Sequence, residues 1–196
     1  MNDLSLFIFR RDLRLEDNTG LIHALKLSKK VIPIFIFTPQ QLIKNKYKSD
    51  NCVQFMIESL EDLDDQLMKK NSRLLYFYGE PTYVIEDIFK EHNISAVFVN
   101  QDYTPYSIDR DNKIENICKK YNVKYFFYED TILNPIASIL TGNNKIYTKF
   151  TPYYNKAINI QIKNITKNKF DNYINKNFKI SMEYTGDIHK FYKYNK

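Results

Sequence analysis

Residues Val31–Phe37 read VIPIFIF, seven apolar side chains in succession with four of them β-branched. A strand covered on both faces reads this way, because neither side of its pleat meets water. Working outward, Ser5–Phe9 (SLFIF), Arg73–Tyr78 (RLLYFY), Ala96–Val99 (AVFV) and Val123–Tyr128 (VKYFFY) are further apolar runs of strand length. Between them lie stretches with apolar residues at helical spacing. Asn18–Leu27 carries Leu21, Ile22 and Leu25, with Asp17 or Asn18 placed to cap it. Asn51–Lys70 puts Val53, Met56, Ile57, Leu60, Leu63 and Leu67 on one face and acids on the other. Pro81 opens a helix with Val84, Ile85, Ile88 and Phe89 inward, and Ser107–Tyr121 is a fourth. Five strands separated by helices predict an α/β fold, a doubly wound parallel sheet with helices on both faces, since parallel neighbours need crossover connections. Ligands of such sheets bind beyond the carboxyl ends of the strands. The segments in which to look for a site are therefore Arg10–Asn18, Thr38–Gln40 and Asn100–Tyr106.

Beyond Asp130 the alternation fades. Thr141–Asn144 (TGNN) reads as a turn and Thr151–Ile158 as a short helix. The charge changes there too. The 196 residues carry a net +6, but residues 131–196 hold eleven Lys against three acids, leaving 18 bases and 20 acids in residues 1–130. Eleven Asn are interleaved with the lysines. This reading divides the chain into a core (1–130), an extension (131–159) and a Lys/Asn-rich tail (160–196) that is expected to pack poorly. The tail's charge allows weak attraction to nucleic acid; a plain compositional bias gives the same sequence.

Several chemistries are missing from the sequence. There is no GxGxxG, no GxxxxGK[ST], no GxSxG and no Cys/His set at metal spacing. Cys52 and Cys118 lie far apart and read as reduced thiols of an intracellular protein. No apolar run approaches the roughly 20 residues of a membrane span, and the N-terminus is not that of a signal peptide.

Two clusters carry polar chemistry. Arg10-Arg11-Asp12-Leu13-Arg14-Leu15-Glu16-Asp17-Asn18 follows the first strand. Asp12, Arg14 and Asp17 suit a network that braces the loop, whereas Arg11 is the arginine to face a pocket. Asn100-Gln101-Asp102-Tyr103-Thr104-Pro105-Tyr106, followed by Asp109-Arg110-Asp111, follows the fourth strand. Its carboxylate and rings suit a planar heteroaromatic ligand, and equally a loop cap (Asp102) with a core ring (Tyr103).

FRRDLRLEDNTGL, VIPIFIFTPQQL, VFVNQDYTPYSIDRD and YTKFTPYYNKA occur in that order and together resemble the N-terminal domain of the DNA photolyase/cryptochrome family. The resemblance spans Phe9 to Ala157 and implies a Rossmann-like domain that holds a light-harvesting antenna chromophore, a deazaflavin or a reduced folate. Deazaflavin-type members place the antenna among residues matching Phe9, Arg11, Phe35, Ile36, Phe37, Asp102 and Thr104. Phe9 stands where that branch has a histidine and Thr104 where it has a carboxylate. The Asn-Glu pair of folate-type members falls on Tyr106 and Ser107, which favours the deazaflavin. In the whole family enzyme the antenna passes excitation to FAD in a larger helical domain, which repairs pyrimidine dimers. No FAD-binding residue of that domain matches here and the chain has no Trp, so the catalytic FAD is not expected in this chain. The resemblance thus implies one half of a split or truncated photolyase, dependent on a separately encoded FAD-binding domain and meeting DNA through it. A non-functional remnant, or a small-ligand module of the same architecture without a light role, is the alternative.

Overall fold

A computed structural model describes residues 1–193. The elements follow as β1 (Asn2–Phe9), α1 (Thr19–Leu27), β2 (Ser28–Phe37), α2 (Pro39–Leu42), α3 (Asp50–Lys69), β3 (Leu75–Tyr78), α4 (Pro81–Glu91), β4 (Ala96–Asn100), α5 (Pro105–Lys120), β5 (Lys124–Tyr128) and α6 (Phe150–Ala157), with a 3-10 turn at His189–Phe191. The five strands form one parallel sheet in the order β3-β2-β1-β4-β5. The chain winds outward from β1 in one direction through β2 and β3, then in the other through β4 and β5. The predicted architecture is the observed one.

The pleat sorts the side chains onto two faces. Phe7, Phe9, Phe35, Phe37 and Phe98 point to one side and pack with Leu21 and Leu25 of α1 and Ile57, Leu60 and Leu63 of α3. Leu6, Ile8, Ile32, Ile34 and Ile36 point to the other and pack with Val84, Ile85 and Ile88 of α4 and Ile114 of α5. Aromatic rings thus dominate one face of the sheet, while the other is mainly aliphatic, with Phe77 of β3 among its side chains.

Strands β1 and β2 begin three residues before their apolar runs. Pairing rather than apolar content extends them: Asn2 pairs with Ser28, and the buried Ser28 and Ser5 hydroxyls bond to each other at 2.8 Å. The short helix α2 has a local signal in Thr38-Pro39, where the threonine side chain accepts from Gln41 N and proline takes the first helical turn.

The expectation of a poorly packed tail holds for residues 161–165, which are exposed, and is overturned beyond them. From Thr166 onward the chain is laced to the domain. Thr166 and Asp17 exchange bonds, Asp17 N to Thr166 O at 3.1 Å and Thr166 N to Asp17 Oδ1 at 2.8 Å. Val31 N donates to Asn172 O and Ile174 N to Val31 O, which adds a parallel bridge to β2 where β3 has not yet begun. Farther on, Tyr184 N donates to Tyr76 O on β3, the edge strand. Pro33 fits this arrangement: it faces the same edge as Val31, between the bridge and the start of β3, where its missing N–H leaves no ladder bond unmade. Tyr173, Ile180 and Phe191 are buried. The tail works as a cover for a sheet edge that would otherwise present unpaired backbone.

Among the described residues no helix is long and apolar enough to cross a membrane.

Candidate functional site

The loops after β1 and β4 meet where the winding reverses, the place at which open parallel sheets form a crevice. A buried polar network fixes both. Asp12 Oδ1 accepts from Arg10 N at 2.8 Å, and Asp12 Oδ2 from Asn100 Nδ2 at 2.5 Å. Asn100 Nδ2 also donates to Asn18 Oδ1, which caps α1 by accepting from Leu21 N. Asn100 Oδ1 accepts from Gly20 N at 2.8 Å. A Cβ at position 20 would lie 2.5 Å from that oxygen, so the first turn of α1 approaches Asn100 only because residue 20 is glycine. Burial pushes the Asp12 carboxyl above its ordinary pKa, opposed by the bonds from Arg10 N and Asn100. Arg14 pairs with Asp130 at 2.9 Å, and Asp130 in turn accepts from Thr19 N. Asp12 and Arg14 therefore brace the loop, Arg14 Nη2 also donating to the Asp17 carbonyl at 2.7 Å, while the Asp17 side chain is turned to Thr166 of the tail.

Beside this network opens a cleft of about 410 Å³ at the carboxyl ends of β1 and β2. Five of the seven candidate residues line it: Phe9, Arg11, Phe35, Ile36 and Asp102. Phe9 and Phe35 belong to the aromatic face of the sheet and Ile36 to the aliphatic one, so the cleft straddles the sheet's end. Arg11 Nε lies 3.3 Å from Asp102 Oδ2; the arginine side chain is 69% exposed and the carboxylate 14%. This pair lines both the cleft and an adjoining hollow of about 350 Å³, bounded also by Asp12, Asn100 and Tyr103. Desolvation works to raise the Asp102 pKa. Hydrogen bonds from Ser107 Oγ (2.8 Å) and Tyr103 N (2.8 Å), with the charges of Arg11 and Arg110, outweigh it and hold the carboxyl below its ordinary value. Asp102 is thus a fixed anion at the cleft's polar edge.

The other two candidates lie elsewhere. Phe37 points the same way as Phe35 but is buried under the tail, with its ring centroid 5.2 Å from that of Phe191 and 5.7 Å from that of Tyr76. Thr104 caps α5, accepting from Ser107 N and sharing a 2.7 Å bond with Ser107 Oγ. Ser107 is consumed by Thr104 and Asp102, and Tyr106 offers no carboxylate, so positions 106 and 107 supply no carboxylate acceptor of the Asn-Glu kind.

Sequence reading missed the outer wall. It comes from the loop 43–49, with Tyr47, Lys48 and Ser49, and from the first turns of α3, with Cys52, Val53 and Met56. The apolar period of Asn51–Lys70 marked Val53 and Met56 as inward-facing, but at the helix's first turns that face looks onto the cleft. Arg110 closes the opposite side; its side chain is 9% exposed and its Nε is held by Asp111 at 2.9 Å, while Nη2 has no hydrogen-bond partner among the described residues. The volume, the apolar walls and the few fixed polar groups suit a small planar ligand with a polar edge. Among the described residues no cluster of His, Cys, Asp or Glu could hold a metal ion.

Comparison with known proteins places these features. The family model described as DNA photolyase matches residues 5–168. The deoxyribodipyrimidine photo-lyase of Synechococcus sp. is 31% identical over 149 residues, which is 76% of this chain and 31% of that protein. Cryptochrome-1 of Aedes aegypti is 37% identical over 122 residues, 59% of this chain and 22% of that protein. A photolyase structure from Sulfolobus tokodaii superposes with a TM-score of 0.80 at 43% identity, covering 88% of this chain and 38% of that one. That structure is described as holding two FAD molecules and as implying a novel light-harvesting cofactor. A Synechocystis cryptochrome shares the fold with a TM-score of 0.86 at 20% identity. The chain spans about a third of the length of the first curated relatives it matches. With its sheet order, its braced switch point and a family match over most of its length, this chain belongs to the DNA photolyase family.

Proposed function

We propose that the cleft binds a tricyclic antenna chromophore and that the chain is the light-harvesting α/β half of a photolyase system. The carrying observation is the cleft itself, flat-walled by Phe9, Phe35 and Ile36 and edged by the Arg11–Asp102 pair. Bound there, such a group would absorb light and pass its excitation on. The chain's own residues would position it: the rings exclude water from its faces, Asp102 accepts from a ring N–H and Arg11 meets an electron-rich edge. A deazaflavin fits this description, and so does the isoalloxazine of FAD, which the Sulfolobus tokodaii structure makes a second candidate. A reduced folate fits less well because positions 106 and 107 supply no carboxylate. In this reading the catalytic FAD and the DNA are met by a separate flavin domain rather than by residues 1–196, which alone repair nothing.

Titrating the purified chain with a deazaflavin, FAD and a reduced folate, each followed by fluorescence, tests the reading. The tricycles should bind more tightly than the folate. A buried hydrogen bond to a charged group contributes about 1.5–3 kcal/mol, so Asp102→Ala should weaken tricycle binding roughly 10- to 150-fold. Asp12→Ala should lower stability more than affinity. Preference for the folate, or unchanged affinity in Asp102→Ala, defeats the assignment.

A further inference from the structure

The cleft's outer wall is the loop 43–49, an irregular segment between α2 and α3 in which Ile43 is 68% and Tyr47 93% exposed. Its own turns close on Asn45, whose side chain accepts from Tyr47 N and whose carbonyl accepts from Lys48 N. What reaches this loop from far along the chain is the tail. Lys48 Nζ donates to Phe191 O at 2.5 Å and also pairs with Asp50 at 3.3 Å. Phe191 is itself held. It is 8% exposed and stacks on Tyr78 at 5.6 Å with 10° between the ring planes, and it packs on Phe37 and Tyr184. Lys190 lies over the rings of Tyr184 and Phe191, at 5.1 and 5.5 Å from their centroids. His189 Nε2 meets Glu61 of α3 at 2.9 Å, and Tyr184 N is bonded to β3. A segment anchored on β3, on α3 and in an aromatic seat thus presents a carbonyl to the lysine of the cleft wall.

We propose that residues 184–192 form a strap that sets this wall, so that docking of the strap and binding in the cleft reinforce each other. The proposal rests on the reading of the cleft as a chromophore site. Phe191 and Lys48 are positioning residues: with the strap docked, Lys48 and the loop around it are already in place, and a ligand need not order them. Linkage makes the effect reciprocal, because a ligand that prefers the ordered wall must also favour the docked strap.

The test is amide hydrogen exchange of the full chain with and without FAD, alongside the FAD titration, in wild type, Phe191→Ala and Lys48→Met. Lys48→Met leaves the aromatic seat intact and so reports on the wall even if Phe191→Ala destabilises the fold. Both variants should raise exchange across residues 43–49 without ligand and weaken FAD binding about 5- to 20-fold. In wild type, FAD should slow exchange in residues 184–192. If Phe191→Ala frees the strap while the loop's exchange and the affinity stay unchanged, or if Lys48→Met leaves the loop's exchange unchanged, the proposal is overturned. Failure of the wild-type chain to bind either FAD or a deazaflavin overturns the reading of the cleft instead. The ligand-free exchange of residues 43–49 still decides whether the strap sets the wall.

Discussion

Residues 131–165 and residues 166–192 share a composition rich in Lys, Asn and Ile, yet the structure treats them differently. In the first, Leu133, Ile146, Phe150 and Ile165 are each more than two-thirds exposed, and the helix α6 buries no side chain. Its aliphatic residues bound an open hollow of about 650 Å³, and its contacts are largely local, such as Lys156 Nζ to Leu140 O and the Phe150–Tyr154 ring pair. In the second, fewer apolar residues are better used, because the backbone is fixed against the sheet edge and each inward side chain then finds a prepared hollow. Apolar content does not decide which of two such segments packs. Docking of the backbone does, since the entropy cost of ordering a segment is met only where its hydrogen bonds and its burial coincide.

Side-chain deletions should separate the two regions most strongly. Tyr173 is 2% exposed, its hydroxyl accepts from Asn168 Nδ2, and it sits at the bridge to Val31. Tyr173→Ala should cost about 3–5 kcal/mol in urea unfolding, the range for removing a large buried ring. Phe150→Ala, at a 74% exposed position, should change stability by less than about 0.5 kcal/mol. Similar costs for the two would break the comparison, and a negligible cost for Tyr173→Ala would mean that the tail undocks freely.

A smaller effect should come from the ion pair between Arg73 and Glu183. The Glu183 side chain is 6% exposed and the Arg73 side chain 30%. Arg73→Ala leaves a carboxylate poorly hydrated without its partner, a change expected to cost about 1–3 kcal/mol. Adding Glu183→Gln should recover most of that loss, because the uncompensated charge is then gone. Double-mutant unfolding curves measure both, and an additive result would show that the pair does not hold the tail.

These contrasts mark how far the sequence could be read. The strands were legible because β1, β2 and β4 are apolar on both faces, and the site's inner parts were legible because Arg11 and Asp102 follow strands whose carboxyl ends form the crevice. The tail was not. Tyr173, Ile180 and Phe191 follow no period, and their burial depends on backbone bonds to Val31 and Tyr76 that leave no mark in side-chain pattern. That omission misplaced Phe37 as well. Strand alternation set it on the same side as Phe35, but it could not show that the tail covers one ring and leaves the other at the cleft. The outer wall was hidden for a related reason, since Lys48 acquires its position from a carbonyl 143 residues away.

The smallest expected effect isolates one stitch of the tail by its pH dependence. Ser181 N lies 3.0 Å from both carboxylate oxygens of Glu91, the last residue of α4, with His92 Nε2 3.2 Å from one of them. The bond from Ser181 N holds the Glu91 carboxyl below its ordinary value of 4.5. A carboxyl depressed in the folded state stabilises the fold fully above its unfolded pKa and ceases to do so as pH falls through the depressed folded value. The Ser181 contact should therefore be constant from neutral pH down to about the ordinary carboxylate range and loosen below it. Followed by NMR, the Ser181 amide proton should shift upfield as the acid end of the titration is reached, while the Tyr184 amide, which donates to a backbone carbonyl, should not move with it. In Glu91→Gln the amide should lose this titration altogether. A Ser181 shift that persists in Glu91→Gln would assign the pH response to another group and remove this contact from the set that fixes the tail.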